Sequence, residues 1–517
     1  MATRRILLLF LMSFLSTSPA AAVKSWCSQT PHPKPCEYFL TNNPKYKVSI
    51  KGKPDFVRAA AHLALDRCMH AKSGLHHLGP NCRSDREREA WADCVDLYEE
   101  TIHVLNKTVD PNTKCTADDV QTWLSTALTN LDTCAAGFAD FGIHDYHSVF
   151  PIMSNNVSLL VSNALALNSK GVSNFNSVKG YKDGFPRWVR PGHRKLLQSS
   201  SDVVVAQDGS GNFTTVGEAV AAAAAGGSRP VGSDWYVIYV KAGTYVENVE
   251  IGRGLRNVML LGDGIGRTII TGSRSVDGGS TTFNSATVVV VGDGFIARGI
   301  TFRNTAGAQS QAVALRSGSN LSVFYQCSFE GYQATLYAHS QRQFYRDCDI
   351  YGTVDMVIGN AAVVLQNCSF HARIPAEMIN TITSQFRTDP NQNTGTIIHN
   401  SRVMPTPELV PLLILTRTYL GRPAREFSRT VFMKTELGGL IHPAGWLEWM
   451  GTTFALDTLY YAEYANTGPG SSTENRVKWP GYHVITNTSE AEQFAPDNFI
   501  LVDHWVPNTN VPFTSGL

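Results

Sequence analysis

Asp355 lies in the run Tyr351-Gly352-Thr353-Val354-Asp355-Met356-Val357-Ile358-Gly359, whose apolar residues read as a strand. An unpaired carboxylate in such surroundings is costly, so Asp355 requires a cationic partner. Arg422, in Leu420-Gly421-Arg422-Pro423, is the best candidate, because a guanidinium can hold and orient a carboxylate in a two-pronged fork. Such a pair is either a catalytic carboxylate with its orienting cation or a buried structural ion pair, and both readings stand at this point. A second polar cluster, Gly331-Tyr332-Gln333-Ala334-Thr335-Leu336-Tyr337, comes shortly before the Asp355 run.

The elements around these residues repeat. After Asp202 the chain turns to short runs of Val, Ile, Phe and Thr punctuated by Gly and Asn, which predicts strands. The segment Gly299-Ile300-Thr301-Phe302-Arg303-Asn304 is echoed at 326–331, 347–352 and 367–372, with Phe302, Phe329, Ile350 and Phe370 as its apolar anchors. Anchors that recur at this near-regular spacing predict a solenoid, here a parallel β-helix in which equivalent side chains of successive coils stack. Residues one coil apart in sequence then become neighbours, so a site can be assembled from consecutive repeats. Gln333 and Asp355 are separated by about one such coil. Cys327, Cys348 and Cys368 hold the same place in three coils. Stacked Cα atoms about 5 Å apart lie within disulfide range, and a Cys348–Cys368 bond is expected.

The N-terminal part has another texture. Between about 55 and 168 apolar residues recur at helical spacing, as in Val120, Trp123, Leu124, Ala127, Leu128, Leu131, Cys134, Ala135 and Phe138, and in Trp91, Cys94, Val95, Tyr98, Ile102 and Leu105. A third stripe, Val157, Leu160, Val161, Ala164 and Leu165, completes the expectation of a helical bundle. Cys27 with Cys36, and Cys94 with Cys134, have spacings compatible with a clip and a staple, although spacing alone leaves the pairing open. Residues 169–197 form a basic, unpatterned linker carrying Arg194-Lys195-Leu196-Leu197, a dibasic candidate for proteolysis, with an uncut hinge as the alternative.

Residues 1–22 read as a signal peptide: Arg4 and Arg5, an apolar run from Ile6 to Leu15, then Ala20, Ala21 and Ala22. No later run approaches the roughly 18 apolar residues of a membrane span, so a secreted, extracellular product is expected. Ten cysteines suit an oxidising compartment. Acceptor tripeptides for N-glycosylation begin at Asn106, Asn156, Asn212, Asn320, Asn367 and Asn487.

The chain of 517 residues carries net charge +1, which argues against a nucleic-acid partner held by a basic surface. The balance hides an asymmetry: residues 1–197 hold 23 Lys and Arg against 17 Asp and Glu, residues 198–517 hold 21 against 26. Net charges of +6 and −5 favour docking of the two parts, within the roughly 8 Å reach that physiological salt allows. Backbone hydrolysis of a polysaccharide by paired carboxylates is unsupported, because the solenoid lacks an adjacent Asp-Asp pair and Asp118-Asp119 falls in the helical part. A serine esterase would need a Gly-x-Ser-x-Gly elbow, which is absent from the sequence. The cysteines read as disulfides, and His76-His77 alone makes no metal site.

The C-terminal part resembles plant pectin methylesterase, and the whole chain resembles its long form, whose N-terminal domain is similar to the pectin methylesterase inhibitor. Five motifs in the family's order carry the resemblance: Gly243-Thr244-Tyr245-Val246-Glu247, Gln311-Ala312-Val313-Ala314-Leu315-Arg316, Gly331 to Tyr337, Tyr351 to Gly359 and Leu420 to Pro423. It implies a right-handed parallel β-helix over 198–517 preceded by a four-helix bundle over 23–168. The implied activity is hydrolysis of galacturonate methyl esters in cell-wall pectin, with no metal or organic cofactor. Arg194 to Leu197 is then the site where a protease separates the domains, and the inhibitor-like domain masks the groove until it is cut.

By the same resemblance Asp355 is the nucleophile, Arg422 orients it, and Gln311 and Gln333 stabilise the oxyanion. Thr281, Tyr337 and Trp446, together with Gln311 and Arg422, contact substrate. The sequence departs from the family at Ala334, where an aspartate serves as general acid and then base. Losing that assistance costs about 10²- to 10⁴-fold in rate, and Glu330 is the nearest alternative carboxylate in sequence. It departs again at Ala424, where a tryptophan usually offers a sugar-stacking face. Met356-Val357-Ile358 replaces a commoner Phe-Ile-Phe, an apolar exchange of small consequence. Two roles remain: an esterase, or a feeble or inactive relative that binds wall polysaccharide or carries its inhibitor-like domain.

Overall fold

The computed structural model describes residues 19–42, 50, 52–145, 156–169, 181–182, 185–186, 201–226 and 235–517. Positions 1–18 of the expected leader and the processing tetrapeptide at 194–197 lie outside the described residues. Helix α1 (Pro19–Cys27) and α2 (Pro33–Asn42) form a hairpin clipped by a Cys27–Cys36 disulfide. The bundle follows as α3 (Lys53–His76), α4 (Asp85–Val109), α5 (Ala117–Asp140) and α6 (Val157–Ser169).

Two of these starts have a clear local cause. Ser84 caps α4 by accepting from the Glu87 N–H, and Thr116 and Asp119 form a reciprocal capping box on α5. Most of the predicted stripe residues face inward, with Cys94, Tyr98, Leu105, Leu124, Ala127, Phe138, Val161 and Leu165 buried, while Trp91, Val95, Ile102, Val120, Leu131 and Ala135 are partly covered. A Cys94–Cys134 disulfide staples α4 to α5.

Residues 203–484 wind into a parallel β-helix of three sheets with eleven, eight and seven strands. The first sheet runs from Val203–Val205 to Tyr482–Val484, the second from Gly243–Val246 to Glu436–Leu437, and the third from Val249–Ile251 to Arg417–Pro423. The repeat anchors stack as their spacing predicts: Phe302 pairs with Phe329, Phe329 with Ile350, and Ile350 with Phe370. The Phe302 and Phe329 rings lie nearly parallel, 5.6 Å apart.

Cys327, Cys348 and Cys368 do form a column in the core, but their thiols are free, so the expected Cys348–Cys368 disulfide is not formed. Parallel stacking aims their Cβ atoms in one direction, and the thiols turn toward carbonyls instead, Cys348 to Phe324 at 3.4 Å and Cys368 to Tyr345 at 3.7 Å. Asn320 corrects a second expectation. It is buried and its Oδ1 accepts from Arg342 Nε at 3.1 Å, leaving no room for a glycan, whereas Asn106, Asn156, Asn212, Asn367 and Asn487 are exposed.

Candidate active site

The third sheet alternates strictly. Leu315, Leu336 and Val357 point into the solenoid core, while register places Glu250, Val289, Arg316, Tyr337, Ile358, Ser384 and Arg422 in one outward row. At the edge of this row the chain bends once per coil. There Gln311 and Gln333 are bridge partners in consecutive coils, and Ala334 stands one coil before Asp355, at the same interval that separates Leu336 from its partner Val357. Ala334 and Asp355 are therefore ladder neighbours, about 4.8 Å apart by strand spacing.

Both bend residues are left-handed, Ala334 at φ 63° and Asp355 at φ 53°. Aspartate and asparagine tolerate this region better than other non-glycine residues, because their short polar side chains bond locally. Asp355 does so. Its N–H donates to Thr381 Oγ1 at 2.7 Å, and the Thr381 hydroxyl donates to Asp355 Oδ1 at 2.7 Å.

The predicted fork is formed: Arg422 Nε donates to Asp355 Oδ1 at 2.9 Å and its Nη2 to Oδ2 at 2.8 Å. Burial opposes the Arg422 charge, but Asp355 beside it outweighs that and holds the guanidinium proton above its ordinary range. Gly421 lets Arg422 reach this place, since a Cβ there would strike Thr383 and the Trp446 ring. Thr282 donates its hydroxyl to Gln311 Oε1, which leaves the Gln311 amide N–H groups as donors. Asp355, Gln311, Gln333, Ala334, Tyr337 and Ala424 line one cavity of about 340 Å³.

One expected groove residue lies elsewhere, and a second is covered by the helical domain. Trp446 is 1% exposed, stacked on Tyr461 at 4.2 Å and bonded to Glu463, because its segment turns it under Gly421 into the core. Trp449 lines the cavity instead, 4.8 Å from the Arg422 guanidinium. Both tryptophans stand in Trp446-Leu447-Glu448-Trp449, and no periodicity there marks which one faces out. Thr281 is fully buried and donates to Asp93 of α4, while its neighbour Thr282 faces the cavity. Glu330 cannot stand in at position 334, because it is ion-paired to Arg303 at 2.7 Å in the second sheet.

The helical domain lies over this groove. Gln121, Thr122, Ser125, Thr129 and Thr133 make a polar stripe on α5 that is buried although nothing in it is apolar. It meets the β-helix through hydrogen bonds: Thr133 with His339 at 3.0 Å, Thr129 with Asn360 at 2.8 Å, Thr122 with Asn393 at 3.0 Å and the Ser125 carbonyl with Gln392 at 3.1 Å. At the end of α5, Asp140 enters the cavity and accepts from the Thr282 N–H at 2.7 Å. Burial raises the Asp140 pKa, and it raises that of Asp93 to about 7.

Ion pairs complete the contact. Arg425 meets Asp132 at 3.0 Å, Arg342 meets Asp119 at 2.6 Å and Arg253 meets Glu100 at 2.6 Å. The pairing does not follow the net charges of 1–197 and 198–517, because the positive excess of 1–197 lies in the leader and the 169–197 linker, and residues 23–168 hold 14 Lys and Arg against 16 Asp and Glu. Lys107 with Asp293, at 3.0 Å, pairs in the other sense.

The pectinesterase family model matches residues 202–503, and the plant invertase/pectin methylesterase inhibitor model matches residues 21–167. A probable pectinesterase/pectinesterase inhibitor 17 of Arabidopsis thaliana is 60% identical over 516 residues, covering 99% of this chain and 98% of its own. Pectinesterase 2 of Citrus sinensis is 60% identical over 499 residues, covering 96% and 95%. A solved pectin methylesterase from carrot is 54% identical, superimposes with TM-score 0.59, and covers 62% of this chain and 98% of its own. With an oriented carboxylate and paired glutamines at one bend of a β-helix, beneath an inhibitor-like bundle, this chain belongs to the pectinesterase family of carboxylic-ester hydrolases.

Proposed function

We propose that this chain is a pectin-directed member of its family in which the ester-cleaving apparatus is complete except for its proton donor. Asp355, held in the Arg422 fork, attacks the methyl-ester carbonyl of galacturonate, and the amide groups of Gln311 and Gln333 take the oxyanion. Collapse to the acyl-enzyme expels methoxide, a poor leaving group that needs a proton. Water must then be deprotonated to release the acid.

One observation carries this reading. Among the described residues lining the cavity, the carboxylates are Asp355 and Asp140, and Asp140 belongs to the helical domain. Once that domain leaves, Asp355 alone remains, so both acylation and deacylation proceed without acid-base help. Turnover is expected about 10²- to 10⁴-fold below that of the same protein bearing Ala334→Asp.

The rest of the proposal follows from the arrangement. The precursor is exported through its leader, residues 1–22, and reaches the cell wall. Cleavage at 194–197 frees the β-helix, and until then α4 and α5 fill the place of the polysaccharide. Trp449 beside Arg422 supports retained sugar binding despite Ala424. A second reading, a wall-polysaccharide binder of negligible turnover, draws on the same absence at 334.

The test is methanol release from highly methylated pectin by protein cut in the linker and separated from the helical domain. Little release by the natural protein, a large gain with Ala334→Asp, and its loss on adding Asp355→Ala support the proposal. An ordinary family rate from the natural protein, abolished by Asp355→Ala, would overturn it.

A further inference from the structure

Arg316 is the outward-facing cation of the groove row between Glu250 and Arg422, four strand spacings or about 19 Å from Arg422. Its side chain is buried beneath the helical domain, and its Nε has no hydrogen-bond partner. The guanidinium carbon rests 3.4 Å above the centre of the Phe283 ring, which fixes its plane. It faces a cavity of about 220 Å³ lined by Arg253, Glu250 and His339 of the β-helix and by Asn130 and the carboxylates Asp96, Glu99 and Glu100 of the helical domain.

The groups set opposite Arg316 are the α4 carboxylates Asp93 and Asp96, with Glu250 on the row itself. Asp93 comes near without closing a fork. One oxygen accepts from Thr281, and the other, Oδ1, is buried without a partner. Three neighbouring arginines of the same face, Arg253, Arg342 and Arg425, do grip helical-domain carboxylates. A planar cation pre-oriented on an aromatic ring, short of one hydrogen bond and faced by an ill-fitting carboxylate, suits a carboxylate of different reach.

We propose that Arg316 is a binding subsite for free, unesterified galacturonate carboxylates on the pectin chain, and that the α4 carboxylates are its placeholders in the precursor. The inference rests on the pectin reading of the groove. It gives the freed β-helix a preference for chains already de-esterified some way from the ester at Asp355.

The experiment uses protein folded as the full chain with a site-specific protease sequence in the linker, then cut, in an Asp355→Asn background that removes turnover. Binding of an unesterified galacturonate hexamer and of its fully methyl-esterified counterpart is measured by calorimetry after the helical domain is separated. Arg316→Gln should weaken the unesterified hexamer about 10-fold or more and the esterified one less than about 2-fold. Arg316→Lys, which keeps the charge but loses the planar fork stacked on Phe283, should recover only part of the discrimination. A readout that needs no change at 316 is displacement of the cut but still docked helical domain, which the unesterified hexamer should achieve at lower concentration.

Equal losses for both hexamers with Arg316→Gln, or equal displacement by both, would overturn the subsite and leave the pectin reading intact. Failure of the separated protein to bind either hexamer would overturn both.

Discussion

Two faces of the same solenoid are covered, and they are covered by different chemistry. The first sheet turns Val323, Phe344, Val364, Ile397 and Val431 outward, and the C-terminal segment seals them with Phe494, Ile500, Val502, Trp505 and Val506, all buried in one apolar cluster. The third sheet is covered by α4 and α5 through a mixed contact, in which Phe283, Val289, Tyr337 and Ile358 join the helical core but threonines, amides and ion pairs surround them, and it leaves both polar atoms of Asn130, Asp93 Oδ1 and Arg316 Nε buried without partners. Apolar burial is lost as a whole when a cover leaves, whereas polar groups exchange protein partners for water at small net cost. The C-terminal cover is held by apolar burial throughout, and the helical cover, being partly polar, is the one suited to the proposed removal.

That contrast can be broken in four places. Phe344→Ala in the apolar cover should cost about 3–5 kcal/mol of β-helix stability, read by denaturant unfolding, with docking of the helical domain little changed. A weak effect would mean that the C-terminal cover too is loose. The pH dependence should be confined to the polar cover. Asp93 is raised from 3.8 to about 7 when docked, so the docked state holds the extra proton. Docking is then strongest below pH 3.8 and weakens as pH rises toward about 7, by at most roughly tenfold per pH unit for this group alone. Titrating the dissociation of the cut helical domain checks the sign, and Asp93→Asn should flatten the profile.

Two smaller changes sharpen the comparison. Asp132→Ala strands the half-buried Arg425 and should weaken docking by about 1–2 kcal/mol, measured as affinity of the cut domains. Thr129→Val, which removes the acceptor for Asn360, should cost about 1 kcal/mol or less in the same assay. Neither should move the unfolding midpoint of the separated helical domain, since both side chains bond across the groove. A shift there would mean that they hold the helical domain together rather than dock it.

Much of this was readable in the sequence because both domains are periodic. The spacing of Phe302, Phe329, Ile350 and Phe370 predicts which residues stack, and with them the adjacency that assembles Gln311, Gln333 and Asp355. The Asp355–Arg422 pair follows from the cost of a lone carboxylate in an apolar run. What escaped lies where periodicity stops or where the other domain intervenes. Trp446 and Trp449 exchange roles in an irregular segment, and Thr281 is covered by Asp93 of α4 while Thr282 beside it faces the cavity. The polar stripe of α5 reads as a solvated face until a partner surface is known. Net charge misled most, since the +6 of residues 1–197 belongs to the leader and the linker and not to the helical domain that makes the contact.

The bend at 334 has one further consequence. The separation between positions 334 and 355 is set by the backbone ladder, and the left-handed bend at 334 persists with alanine in place. On the proposed mechanism an aspartate restored at 334 would meet Asp355 at that ladder-set distance. In the precursor its carboxylate would be buried, because Ala334 is 2% exposed and packs in the apolar cluster of the helical domain, so the two domains would have to part before it could serve as a proton donor.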